Sequence, residues 1–332
     1  MRKTIITGRT GFIGSWLIQE LLKENIDVTV ITRKKERLPE NVRNQCQIIE
    51  KPMEYLEIDD FEKDYGFDVF FHLGWDGVSP GQKNDIRLQI KNINMSLRML
   101  ELSNCLKCGK FLAAGTVAEY SLHAGTINAG TLQKPNDMYG AAKTSARHFL
   151  EVRARQLDQS LIWMILPSIY GEKRTDNNII TYTICTLLEG NIPRYGDLSQ
   201  MWDFLYISDA VRAIRMIGEC GIPGKVYGIG SGQYWPVRRY MEEIRDMIDP
   251  KLKLGIGLIP QMSGRSVSSC VDIYELVKDT SFEPQISFRQ GILRTIQWTK
   301  ENRTLLMRGG EQQKKKKTDS LSDLLFKEVR IA

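Results

Sequence analysis

Thr7-Gly8-Arg9-Thr10-Gly11-Phe12-Ile13-Gly14 decides the reading of this chain. Ahead of it, Arg2 to Thr7 reads as a short buried strand. Behind it, Ser15 to Lys23 has the spacing of an amphipathic helix, and Val28-Thr29-Val30-Ile31 reads as the next strand. Strand, glycine turn, helix and strand make one βαβ unit, with glycines at G-x-x-G-x-x-G spacing. Glycine lets the backbone approach a pyrophosphate, and the helix N-terminus that follows favours its negative charge. The stretch therefore predicts a dinucleotide site built from Gly8, Arg9, Gly11, Phe12, Ile13 and Gly14.

The end of the second strand bears on which dinucleotide. An NAD site usually places Asp or Glu there to hold the ribose 2′-hydroxyl. Here the residues are Thr32-Arg33-Lys34-Lys35, with no acid before Glu36. Arginine and lysine suit a 2′-phosphate. Arg33 and Lys34, with Arg9 inside the loop, favour NADP(H) and leave NAD(H) possible; a solvated basic turn is the plain structural alternative.

Strand and helix patterns then alternate. Val69 to Leu73 reads as a strand ending in Gly74, Ile90 to Leu106 as a helix, Lys110 to Ala114 as a strand leading to Thr116, and Leu161 to Leu166 as a strand leading to Pro167. Such alternation predicts an α/β fold, a Rossmann-type doubly wound parallel sheet with ligands at the carboxyl ends of its strands. Past Pro167 the pattern loosens. Ile179 to Leu188 looks helical, Asp203 to Ile207 strand-like, Ala210 to Gly218 helical behind a Ser208-Asp209 cap, Lys225 to Ile229 strand-like and Trp235 to Ile248 helical. The expected organisation is a dinucleotide-binding domain, 1–168 plus 203–232, and a smaller, discontinuous C-terminal α/β substrate lobe, 169–202 plus 233–302. A basic tail, 303–332, follows.

Tyr139 and Lys143 stand four apart at the start of a run, Thr144 to Val152, that reads as a helix. That spacing puts both side chains on one helical face. An ammonium beside a phenol favours phenolate, which predicts a lowered Tyr139 pKa and a proton donor or acceptor usable near neutral pH. The glycine loop gives this pair a cofactor to work beside.

Composition sets the outer bounds. The chain has 332 residues, 42% of them hydrophobic, enough for a large core. No apolar run approaches the roughly 20 residues that span a bilayer, and the N-terminus enters a strand at once, which predicts no signal peptide and a cytoplasmic protein. Six scattered cysteines read as reduced thiols. Cys105 and Cys108 form a C-x-x-C without the two further ligands that zinc needs, so no metal site is expected. His72, His123 and His148 have no metal or triad pattern around them and read as structural. The net charge is +6, but residues 303–332 carry +4 of it, so the body implies no nucleic-acid partner. Asp319 to Val329 could form a short amphipathic helix.

With these residues placed, the chain resembles the extended short-chain dehydrogenase/reductase family, the NAD-dependent epimerase/dehydratase type that works on nucleotide sugars. The resemblance covers roughly residues 3–300. It rests on the glycine stretch, on Phe71-His72-Leu73-Gly74, on Asn92, on Leu166-Pro167-Ser168-Ile169-Tyr170-Gly171, and on Asp203-Phe204-Leu205-Tyr206-Ile207-Ser208-Asp209. It implies Thr116, Tyr139 and Lys143 as the catalytic residues. Leu73, Gly74 and Pro167 would help hold the cofactor. Asn178 and Arg265 would bind substrate diphosphate, alongside Thr116 at the sugar. It also implies a homodimer that pairs through helices including the one bearing Tyr139.

Departures from the family narrow the reaction. Its 4,6-dehydratases need a carboxylate within the two residues after the catalytic threonine, where this chain has Val117 and Ala118, with Glu119 one place too late. Gly115 to Tyr120 looks instead like the corresponding stretch of bacterial nucleoside-diphosphate 4-keto-6-deoxysugar reductases. Trp202 stands where the family has arginine, Met53 where it often has an adenine-binding aspartate, and Ser168 where it has asparagine. The expected function is NADPH-dependent reduction of the C4 ketone of such a sugar nucleotide, with Tyr139 as proton donor. An NAD-dependent 4-epimerase is the alternative. A non-catalytic dinucleotide sensor would not need Thr116, Tyr139 and Lys143 together.

Overall fold

A run of large apolar residues can be buried on both faces only if helices cover both sides of the sheet it joins. Ile5, Ile6, Phe70, Phe71, Phe111 and Leu112 are such residues, each 0% exposed. A computed structural model of the chain describes residues 1–302, apart from 10, 62–64, 124, 177 and 261–269. In chain order its strands are β1 (Lys3–Thr7), β2 (Asp27–Thr32), β3 (Gln47–Glu50), β4 (Val69–His72), β5 (Lys110–Ala114), β6 (Thr126–Ile127) and β7 (Leu161–Ile165). They continue with β8 (Ser168–Tyr170), β9 (Met201–Trp202), β10 (Phe204–Tyr206), β11 (Val226–Gly228), β12 (Trp235–Pro236) and β13 (Cys270–Val271). The helices are α1 (Phe12–Lys23), α2 (Glu40–Gln45), α3 (Ile86–Cys105), α4 (Met138–Leu157), α5 (Ile179–Leu188), α6 (Ile207–Cys220), α7 (Val237–Ile248), α8 (Tyr274–Thr280) and α9 (Phe288–Glu301).

Seven strands form one sheet in the order β11-β7-β5-β4-β1-β2-β3. Its pairings are parallel, from Lys3 against Asp27 at one side of β1 and Thr4 against Val69 at the other, out to Val226 against Trp163. Helix α1 packs with α6, and α3 with α4, so the sheet is doubly wound as the alternation requires. All strands being parallel, their carboxyl ends share one edge, where Gly8, Leu73, Gly115 and Leu166 each begin a loop.

Chain contacts divide the molecule into two units. One comprises Met1–Ile169, Gln200–Pro236 and Ser263–Ser287 and contains the sheet. The other comprises Tyr170–Ser199, Val237–Met262 and the chain from Phe288. In this second unit α5, α7 and α9 pack together, with Ile184, Met241 and Ile292 at 0% exposure.

Several element boundaries differ from the sequence reading, each for a local reason. Helix α1 begins at Phe12 rather than Ser15, because Gly11 already serves as its N-cap. Helix α4 runs from Met138 to Leu157, well beyond Thr144–Val152, since the Asp137 carboxylate caps it by accepting from Gly140 N at 2.7 Å. Ser208-Asp209 does not cap α6. The helix starts at Ile207, and Asp209 Oδ2 instead accepts from Gln285 N and Ile286 N, both at 2.9 Å. Trp235–Pro236 is a short strand antiparallel to β9, not the first turn of a helix, and α7 begins only at Val237.

Candidate active site

The glycine loop is shaped by contacts that leave no room for a side chain. Gly8 has φ +77°, and a Cβ there would lie 2.4 Å from the Leu73 carbonyl carbon. A Cβ on Gly14 would lie 2.5 Å from Gly8 O. Gly11 N donates to Gly8 O at 3.0 Å, and Gly11 opens α1 with no side chain over the helix end. Phe12 and Ile13 are the first two residues of that helix. A loop pinched against β4 on one side and ending in bare helical N–H groups fits the pyrophosphate of a dinucleotide.

The cleft beside this loop is lined by Gly8, Arg9, Gly11, Ile31, Thr32, Arg33, Lys51, Met53, Glu54, Leu73, Gly74, Trp75 and Asp76. Arg9 is 5% exposed. Its Nη1 donates to Arg37 O at 3.1 Å, while Nε and Nη2 are buried with no partner among the described residues. Burial, and then the charge of Arg37, lower its pKa. A buried guanidinium with two free donor groups fits an anion. Arg33 is exposed and reaches Asp76 at 3.4 Å; Lys34 is exposed. Met53 packs on Gly74, whose N donates to Thr7 Oγ1 at 3.3 Å.

Thr116, Tyr139 and Lys143 come together at the carboxyl ends of β5 and β7. Gly140 makes this possible, because a Cβ there would sit 2.3 Å from Ala118 O, so glycine lets α4 press against the turn Val117–Tyr120. Thr116 caps that turn, its Oγ1 accepting from Ala118 N at 3.2 Å. Its hydroxyl lies close enough to the Tyr139 phenol to favour the ionised form. Lys143 is 5% exposed, and its Nζ donates to Ala114 O at 2.6 Å. The same ammonium stands 3.8 Å from the centre of the Trp75 ring, which meets Tyr139 edge-on at 6.2 Å.

The lowered Tyr139 pKa expected from the four-residue spacing is not what this geometry produces. Burial pushes the phenol up to about 12, with Thr116 opposing and the charges of Glu119 and Asp137 adding to the rise. Lys143 does not offset this, since its ammonium is turned to Ala114 O and the Trp75 ring. Lys143 itself is pushed down by burial, with Glu119 opposing. On these side chains alone Tyr139 is a proton-bearing phenol at neutral pH.

The remaining sequence candidates are placed as follows. Pro167 is buried two residues past the end of β7. Asn92 ties the loop after β4 to α3, donating to Asp76 O at 2.8 Å and accepting from Asp76 N at 3.0 Å. Asn178, in the second unit, caps α5. Its Oδ1 accepts from Ile180 N and Thr181 N, and its Nδ2 donates to Thr181 Oγ1 at 2.9 Å. Arg265 lies outside the described residues, as do 303–332 and with them the Asp319–Val329 stretch. Trp202 Nε1 donates to Ser168 Oγ at 2.9 Å, so two of the three replaced family positions are bonded to each other. His72 is buried between Thr7 Oγ1 and Ser96 Oγ, each 3.0 Å away. Ser96 donates to Asn92 O, so the imidazole is the neutral tautomer carrying its proton on Nε2, and burial takes its pKa down to about 3.

Two residues of the site escaped the sequence reading. Nothing in the sequence says that Trp75, just past the end of β4, lies over Lys143. Glu119 reads in sequence as an acid one place too late for dehydration. The spacing Thr116-x-x-Glu119 is that of a capping box, and the structure forms one: Glu119 Oε1 accepts from Thr116 N at 2.7 Å.

Sequence and structure comparisons agree with this architecture. The model of the NAD dependent epimerase/dehydratase family matches residues 4–230. The chain belongs to that family. Among curated relatives, a dTDP-glucose 4,6-dehydratase of Neisseria meningitidis is 23% identical, covering 92% of this chain and 95% of the relative. An uncharacterised UDP-glucose epimerase of Bacillus subtilis is 25% identical, covering 89% and 96%. Among solved structures, the UDP-N-acetylglucosamine 4-epimerase of Methanobrevibacter ruminantium superposes with TM-score 0.81 at 23% identity, over 91% of this chain and 99% of that one. The UDP-glucuronic acid 4-epimerase of Bacillus cereus, in complex with NAD, gives 0.77 at 22%, over 90% and 99%. These likenesses establish the Rossmann-type fold.

Proposed function

We propose that this protein is an NADPH-dependent reductase acting on the C4 ketone of a nucleoside-diphosphate 4-keto-6-deoxysugar. The observation that carries the choice of cofactor is the Arg9 guanidinium, buried with Nε and Nη2 unpartnered among the described residues, beside a β2 end that offers Arg33 and Lys34 and no acid. A ribose 2′-phosphate matches that donor set; a ribose hydroxyl pair does not. The cofactor, when bound, supplies hydride to the carbonyl carbon.

Every other part falls to the chain. Thr116 would hold the carbonyl oxygen. Tyr139, a phenol kept protonated by burial, would give that oxygen its proton as charge develops. Lys143, fixed by Ala114 O and the Trp75 ring, would hold the nicotinamide ribose and keep positive charge beside the phenol. Val117 and Ala118 offer no proton-transfer group, which argues against the water elimination that some named relatives carry out. Gly8, Gly11, Phe12, Ile13, Gly14, Leu73, Gly74 and Pro167 would complete the cofactor site. Asn178 and Arg265 remain proposed substrate contacts.

A second reading, an NAD-dependent 4-epimerase, is favoured by the likeness in fold to 4-epimerases solved with NAD. Stoichiometry separates the two. The reductase should oxidise one NADPH per 4-keto sugar nucleotide consumed. Purified protein that carries tight NAD and interconverts two sugar nucleotides without net oxidation would rule the reductase out. A homodimer is part of the proposal: Phe149 and Val152 on α4, and Ile86 and Ile90 on α3, are large apolar side chains about half exposed. Light scattering should give twice the chain mass.

A further inference from the structure

Behind Thr116 and Lys143 lies a carboxylate that the scheme above does not use. We propose that Glu119 is the positioning residue of this site: it fixes Thr116 from behind and supplies the counter-charge that keeps Lys143 an ammonium. The proposal rests on the reading of Thr116, Tyr139 and Lys143 as the reacting set.

The geometry carries it. Glu119 is 0% exposed. Its Oε1 accepts from Thr116 N at 2.7 Å and from Trp163 Nε1 at 3.3 Å. Room for this exists because residue 115 is glycine: a Cβ there would lie 2.2 Å from Trp163 Nε1 and 2.7 Å from Glu119 Oε1. The backbone at Thr116 is thus tied to β7 through one side chain. Oε2 is buried with no hydrogen-bond partner among the described residues. A protonated carboxyl would have to put its proton on that oxygen, where nothing accepts it. An ionised carboxylate needs a positive field instead.

Two cations on α4 provide that field, Lys143 and Arg147. Arg147 is already neutralised, its Nε donating to Glu151 at 2.8 Å and its Nη1 to the Tyr120 hydroxyl at 3.2 Å. Among the described residues Lys143 meets the Ala114 carbonyl, the Trp75 ring at 3.8 Å and, at 6.0 Å, the ring of the same Trp163 whose Nε1 donates to Glu119; none of these carries a charge. The other titratable groups near it, His72 on β4 and the Tyr139 phenol on α4, are neutral. Asp137, which faces Tyr139, has Lys83 at 3.9 Å. Glu119 and Lys143 are left as each other's counter-charge, and burial pushes both toward their neutral forms if either loses its partner.

The test is a titration of the cofactor-free full chain by NMR, with carbon-13 at lysine Cε and glutamate Cδ. Glu119→Gln keeps an oxygen for Thr116 N and removes the charge; Lys143→Met removes the other partner; each variant also identifies the signal it deletes. In Glu119→Gln the Lys143 midpoint should fall by roughly one pH unit or more. In Lys143→Met the Glu119 midpoint should rise by a similar amount, because the coupling is reciprocal. Should Glu119→Gln fail to fold, the Lys143→Met arm carries the test alone. A midpoint that stays where it is in the wild type, in either folded variant, overturns the proposal. Neither readout needs a substrate, so inactivity toward every sugar nucleotide would sink the proposed function and leave this result standing. With an active enzyme, the alkaline limb of the kcat profile should move down in Glu119→Gln with cofactor KM unchanged. A profile that only drops in height would contradict the charge role.

Discussion

Two cations are buried to the same degree in this molecule, Arg9 and Lys143, each 5% exposed and each pushed down in pKa by its burial. Their surroundings differ. Lys143 has a carbonyl at 2.6 Å, an aromatic face at 3.8 Å and the field of a buried carboxylate. Arg9 has one carbonyl, a second arginine that repels it, and two donor groups facing no acceptor among the described residues. Among the described residues one charge is met by the protein and the other is not. On the proposed function, that contrast places chemistry at the Lys143 end of the cleft and recognition of an anion at the Arg9 end.

The contrast can be broken most severely at the chemical end. Tyr139→Phe should lower turnover about a thousandfold, within the range that a positioned proton donor contributes, and leave cofactor affinity nearly unchanged. Steady-state rates and calorimetric cofactor titration on the same preparation check both halves. At the recognition end, Arg9→Ala should weaken NADPH roughly tenfold to a hundredfold, the loss of a charge-assisted contact, and NADH only slightly. Equal losses for the two cofactors would mean that Arg9 serves the loop and not the phosphate.

Smaller effects sharpen the picture. His72, the neutral link between β1 and α3, titrates near 3 when folded and near 6.5 when unfolded. The unfolded chain therefore binds the proton first as pH falls. His72 stabilisation is fully present above about 6.5 and is lost toward 3, at up to about 1.4 kcal/mol per pH unit. Denaturant melts should show a flatter pH dependence in His72→Asn over that window. Arg33→Ala should change least. Its ion pair with Asp76 is exposed and worth under about 1 kcal/mol, so stability should hardly move and NADPH affinity should fall only a few-fold.

Much of the fold was legible because parallel strands covered on both faces must be apolar throughout. Val69 to His72 and Leu161 to Ile165 announce themselves that way. The pieces that were not legible depend on distant partners. Asp209 looks like a helix cap in sequence, yet it accepts from backbone N–H groups at Gln285 and Ile286. The two-residue pairing of β6 with β13 leaves no periodicity at all. At the site, the sequence could place Tyr139 and Lys143 on one helical face, but not say which neighbour the ammonium would choose. Trp75 and Ala114 decided that, while burial set the direction of the Tyr139 pKa. The capping-box spacing of Thr116 and Glu119 was readable; the burial that turns Glu119 into a counter-charge was not.

The central claim is net hydride delivery at C4 of a sugar nucleotide with the proton supplied by Tyr139. Mass and NMR analysis of product formed from NADPH deuterated at the transferable nicotinamide position tests it most directly. The account predicts one deuterium at C4 of the product and one NADP+ released per turnover, with the formation of both slowed about a thousandfold in Tyr139→Phe. Sugar nucleotides interconverting with the label still in bound cofactor would contradict it.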